Sequence, residues 1–155
     1  MSEDLRALER WVEPLLARLQ PAERVRLARR VGTQLRRAEQ RRIAAQRNPD
    51  GSAYAPRRKP SPARQKAGRI KRAAMFAKLR QAKHLRVRAD AQQVSVGFVG
   101  RVSRIATVHQ EGRTDSVIRG GPRVRYEQRR LLGFSDSSLA LVRDAIMDHL
   151  TAGMA

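Results

Sequence analysis

The sequence has no cysteine, few aromatic residues and few acids. Without cysteine there can be no disulfide, zinc–thiolate site or thiol nucleophile, which suits a reducing compartment. Aromatics make up 4% of the 155 residues (Trp11, Tyr54, Phe76, Phe98, Tyr126 and Phe134), so a core must rest on Leu, Val, Ile and Ala. Long hydrophobic runs are absent as well: none approaches the roughly 18 apolar residues that a bilayer span requires. Met1-Ser2-Glu3-Asp4 is acidic where a secretory signal is basic. The expectation is a soluble protein made in the cytoplasm, with no membrane partner.

Acid is scarce enough to matter: 14 Asp and Glu stand against 34 Lys and Arg, a net charge of +20. Between Arg47 and Asp90 there are fourteen Lys or Arg and only two acids, so +12 of the +20 sits in the middle third. Residues 1–46 carry +5 and residues 91–155 carry +3. A block of like charge repels itself, and implies a polyanion or an acidic protein face nearby.

Periodicity gives the elements. Leu5, Leu8, Val12, Leu15, Leu16 and Leu19 recur at helical steps behind Ser2 as N-cap, with a kink or a break expected at Pro14. Pro21 suits a first helical position. It opens a second helix to about Gln46, with Val25, Ala28, Val31, Leu35 and Ala38 on one stripe and Arg24, Arg30, Arg37 and Arg41 largely off it. Asn48, Pro49, Asp50 and Gly51 supply turn chemistry at four consecutive positions. The stretch RRKPSPARQKAGRIKR at 57–72 has one large apolar residue and cannot build a core, so an extended basic arm or long loop is expected at about 52–72.

Met75, Phe76 and Leu79 suggest a short helix ending near His84 or Leu85. Residues 85–88 and 94–99 alternate as two strands of an antiparallel hairpin across Asp90-Ala91-Gln92. A brief helix over Ile105–His109, a polar loop from Asp115 to Gly121 and a third strand at Val124 and Tyr126 follow. Ser135 or Asp136 caps a last helix with Leu139, Val142, Ile146 and Leu150 facing inward. The fold class is α+β in one domain, 1–155: N-terminal helices, a small antiparallel sheet with a hairpin, and a C-terminal helix.

Catalytic constellations are missing. His84, His109 and His149 are far apart with no acid at ligand spacing, and Gly120-Gly121 precedes Pro122 without the Lys and Ser or Thr of a phosphate loop. The chain reads as a non-enzyme with no cofactor and no metal. Phe98 and Leu132 are core candidates, and His109 reads as structural. Base stacking would need exposed aromatics, yet the basic middle holds only Tyr54 and Phe76. Phosphate contact needs only charge, so Arg57, Arg58, Lys59, Arg64, Lys66, Arg69, Lys71 and Arg72 are candidates for meeting DNA or an acidic protein partner. A non-specific nucleic-acid-binding regulator is the alternative on these grounds.

The run QRRIAAQRNPDGSAYAPR at 40–57 resembles the signature of the phage virion morphogenesis family of contractile-tailed temperate phages. MFAKLR at 75–80, VGFVGRV at 96–102, RIA and VHQ at 104–106 and 108–110, and RRLLGFS at 129–135 resemble further blocks in the same order. Glu111 departs from the pattern, which often has an aromatic there. The resemblance implies a structural virion protein that completes or terminates the tail. It implies a ring, hexameric in the family pattern, at the head-proximal end of the tail, assembled in the host cytoplasm. Its implied partners are tail tube and sheath proteins, head–tail connector proteins and genomic DNA passing through without sequence preference. Titration with duplex DNA at several salt concentrations should give weak, salt-sensitive and sequence-indifferent binding, and tight binding to one sequence would contradict the phosphate-only reading.

Overall fold

Helix α1 (Ser2–Ala17) runs through Pro14 as one helix, so of the kink or two short helices that the sequence predicts the second does not occur. The proline removes one backbone donor, but its own carbonyl still accepts from Arg18 at 3.3 Å, so the last turn closes beyond it. The coordinates are a computed structural model that describes residues 2–59 and 74–152. Among the described residues, no helix is long and apolar enough to cross a membrane.

After a turn, the Gln20 carbonyl accepts from Arg24 at 2.9 Å and helix α2 (Pro21–Ala44) begins with proline in its first position. Its buried line is Ala28, Val31 and Leu35, as the stripe predicts, and continues through Glu39 and Ile43 rather than through Ala38. Helix α2 ends two residues before the expected Gln46, which takes a left-handed conformation at φ 58°.

Residues 74–84 form turns instead of the short helix that Met75, Phe76 and Leu79 suggest. Phe76 sits at φ 65°, a conformation that no α-helix contains. Strands β1 (Leu85–Ala89) and β2 (Val94–Phe98) form the expected antiparallel hairpin. Val99 donates to the His84 carbonyl at one end and Asp90 to that of Gln93 at the other, both at 2.9 Å. The Asp90 carboxylate accepts from the backbone of Gln92 and Gln93 at 2.8 Å, which shapes the turn and holds its pKa below the usual carboxylate range.

Helix α3 (Val102–Glu111) is longer than the sequence suggests and ends on Gly112 at φ 64°. Two residues of the expected polar loop enter strand β3 (Thr114–Ser116), which pairs antiparallel with β4 (Arg123–Arg125). The last element is helix α4 (Asp136–Thr151). Its inner face is Ser138, Ala145 and His149, with Leu141 and Val142 packed beside them. That face is rotated from the expected Leu139, Val142, Ile146 and Leu150, and leaves Leu139, Ile146 and Met147 exposed. The class is α+β, with two two-stranded sheets among the described residues.

Two compact units emerge, each assembled from separate stretches of chain. The first comprises Met1–Arg36, Val87–Val96 and Asp136–Ala155. Its core joins Val31, Leu35 and Ala145 to Leu27, Val94, Val96, Leu141 and Val142. His149 is buried there, 3.2 Å from the Arg18 carbonyl and 3.5 Å from the Glu23 carboxylate. The second unit, Arg37–Arg86 and Gly97–Ser135, centres on Ile43, Tyr54, Ala106 and Leu131. Phe98 packs half-buried against it, while full burial falls on Leu131 rather than on the expected Leu132.

Gly32 is where helix α2 meets the hairpin in the first unit. A Cβ there would lie 2.4 Å from Val87 Cγ1 and 2.7 Å from Val94 Cγ2, and a short branched side chain has little room to yield. The clash should outweigh the helix propensity that alanine adds, so Gly32→Ala should destabilise by about 1–2 kcal/mol in urea unfolding.

Candidate functional site

The described part of the basic segment begins at a tightly tied turn in the second unit. The Asn48 backbone donates to the Ser52 carbonyl at 2.8 Å and Gly51, at φ 87°, donates to that of Asn48 at 2.9 Å. Asp50 accepts from the Ser52 backbone at 2.9 Å and from its hydroxyl at 2.5 Å, bonds that hold the carboxyl below its ordinary pKa. The turn is seated on the 130–133 segment. Asn48 Oδ1 accepts from the Arg130 backbone at 2.9 Å, and Gly133 passes so close to Pro49 that a Cβ would sit 2.6 Å from its Cγ.

Two glutamines fasten other crossings. The Gln46 amide accepts from the Met75 backbone at 2.7 Å and donates to the Met75 carbonyl at 2.9 Å. Gln110 Oε1 accepts from the backbones of Leu131 and Leu132 at 2.8 and 3.0 Å, while its Nε2 donates to the Leu132 carbonyl at 2.8 Å. One side chain thereby satisfies both polarities of a backbone segment that belongs to no helix or strand.

Arg42 supplies a third fastening. Its guanidinium donates to the carbonyls of Arg47, Arg130 and Leu131 at 2.9, 3.0 and 2.9 Å, and pairs with buried Glu39. Burial raises the Glu39 pKa, against the opposing pull of Arg42.

Beyond Tyr54 the chain runs extended along Arg129, which is buried and donates to the carbonyls of Ala55 and Pro56 at 2.7 and 2.8 Å. Burial lowers the pKa of this guanidinium. Arg58 donates to the Arg125 carbonyl at 2.8 Å. Arg57, Arg58 and Lys59 then border an open cavity of about 800 Å³ whose other walls include Lys78, Arg125, Met75, Phe76, Ile105, His109, Val117 and Tyr126. Phe76, His109 and Tyr126 meet edge to face, with centroids 4.8 and 5.1 Å apart. Arg129 lies 3.4 Å from His109 Nδ1, and since arginine can only donate, Nδ1 accepts and the ring is neutral. Burial, then the Arg129 charge, lowers the His109 pKa to about 4.

Of the sequence candidates, the structure gathers Arg57, Arg58 and Lys59 at this cavity and Asn48, Pro49, Asp50 and Gly51 in the seated turn. Arg64, Lys66, Arg69, Lys71 and Arg72 lie outside the described residues. Sequence reasoning assigned no role to Glu39, Arg42, Gln110 and Arg129, nor to the cavity's Lys78 and Arg125. The first carried a signal: Glu39 falls four residues after Leu35 and four before Ile43, on the buried stripe of α2.

The sequence model of the phage virion morphogenesis family matches residues 3–151. The chain belongs to this family. It is also 41% identical over 137 residues to the protein named tail completion protein S of Escherichia phage P2, covering 88% of this chain and 90% of that one. No solved structure matches it. The sequence blocks that resemble the family gather almost wholly in the second unit, where Gln46, Asn48, Gln110 and Leu131 make the fastenings described above.

His109 generates a test. Because its pKa falls from an unfolded value near 6.5 to about 4, the unfolded chain binds the proton more readily between those limits. Stability is therefore fully present above about pH 6.5 and lost as pH falls toward about 4. Asp50, Asp90 and Asp115, all lowered from 3.8, titrate below this window, while Glu39, raised by burial, opposes the drop because the folded chain takes up its proton first. Urea midpoints should drop between about pH 7 and about pH 4.5, and His109→Gln should remove most of that drop.

Proposed function

We propose that the chain completes the phage tail as a structural subunit. In this reading it forms a closed ring around the DNA path at the head-proximal end of tube and sheath, and prepares the tail to join the head. The similarity to tail completion protein S of phage P2 along nearly the full length of both chains carries the reading. Two physical features support it.

First, many large apolar side chains stay exposed on the isolated chain, among them Trp11, Leu139, Met147 and Phe134, the last with 70% of its surface free. A subunit that finishes burying its surface in an assembly leaves such residues uncovered beforehand. Second, the charge of +20 suits a subunit beside DNA, while the two aromatics of the basic middle are committed to packing: Tyr54 is buried and meets Phe76 edge to face at 5.8 Å.

Native mass spectrometry of the purified protein, alone and with tail tubes, should show a closed oligomer, six-membered if the family pattern holds. A strict monomer under both conditions would sink the ring.

A further inference from the structure

We propose that the cavity beside Arg57, Arg58 and Lys59 receives helix α1 of a second copy of this chain. This deepens the ring reading and rests on it. The cavity combines an apolar floor with a cationic rim. On the floor, Ile105 and Val117 keep 47% and 45% of their surface exposed, apolar area left uncovered among the described residues. At the rim, Arg57, Arg58, Lys59, Lys78 and Arg125 face only one lining acid, Glu127. Arg129 adds no free donor fork, since its guanidinium is engaged with Ala55, Pro56 and His109.

Such a site selects an occupant that is apolar on one side and acidic at its edges. A phosphate backbone fits the rim but leaves the floor wet. Helix α1 carries that chemistry. Four of the fourteen acids, Glu3, Asp4, Glu9 and Glu13, stand in the first thirteen residues against Arg6 and Arg10. Trp11 and Leu16 keep 59% and 55% of their surface exposed, so this helix has apolar surface that its own unit does not cover.

Donor and acceptor are different surfaces, so each bound copy still offers one of each. Contacts of that kind are heterologous, and close into a ring when the rotation per subunit divides the circle. The ionic rim makes the contact salt-sensitive.

The test uses full-length chains. Trp11→p-benzoylphenylalanine, mixed with a nitrogen-15-labelled copy and irradiated, should crosslink between copies onto cavity residues such as Lys78 or Tyr126. Lys78→Glu with Arg125→Glu, and separately Asp4→Lys with Glu9→Lys, should each weaken self-association by at least about tenfold. Arg86→Glu with Arg88→Glu, the same charge change on exposed strand positions, should not. Mixing the two disrupted variants should restore pairing, because one keeps an intact α1 and the other an intact cavity. Circular dichroism melts of each variant establish that it folds.

Equal loss from the strand control, or inter-copy crosslinks elsewhere in an oligomer that survives the cavity variants, overturns this contact and leaves the ring standing. Crosslinks in the cavity of open chains or dimers would uphold the contact and remove the ring. A monomer without crosslinks removes both.

Discussion

The second unit depends on one guanidinium. Arg42 emerges near the end of α2 and binds carbonyls from the turn that follows it and from a segment almost ninety residues later, while Glu39 one turn back holds it in place. The carbonyls it satisfies belong to backbone outside helix and strand, so without it they would be acceptors in search of water. Taking both charges out of water carries a cost that only the full set of bonds offsets, and removal of either partner would leave the other charged and buried. The pair ties the end of α2 to the backbone at 130–131. The turn at 48–51 and the backbone at 130–131 on which it is seated both border this hub.

The two units solve the shortage of aromatics differently. The first relies on aliphatic packing of two helices and a hairpin, close enough at Gly32 that a methyl group has no room. The second gathers Tyr54, Phe76 and Phe98 around a small apolar centre and adds side-chain amides and guanidinia that bind backbone directly. A protein with so much arginine can use it internally, and Arg42 and Arg129 show that part of the positive charge is structural rather than offered to a partner.

Legibility follows the same division. Helices α1 and α2, the hairpin and α4 were readable because 3.6- and 2-residue periods survive wherever one face is dry. The inward face of α4 was not, because its buried line uses Ser138, Ala145 and His149, which a search for large apolar residues passes over. Phe76 misled for a related reason: it looks like a helix residue, yet its left-handed backbone serves a turn closed by the Gln46 amide on Met75. At the candidate site, the turn at 48–51 could be read from its own four residues. Nothing local distinguishes Arg129, which is buried, from Arg130, which is not, since the carbonyls that claim Arg129 lie more than seventy residues upstream.

The discontinuity of the two units also sets an order of events during synthesis. The first unit closes its core with Leu141, Val142 and Ala145, about a hundred residues after α2 is made. Local helix can form at once, but Val31 and Leu35 wait first for Val94 and Val96 and then for α4. Until then the apolar stripe of α2 is only partly covered, so the nascent chain passes through a sticky interval whose length is set by the speed of elongation rather than by the speed of folding.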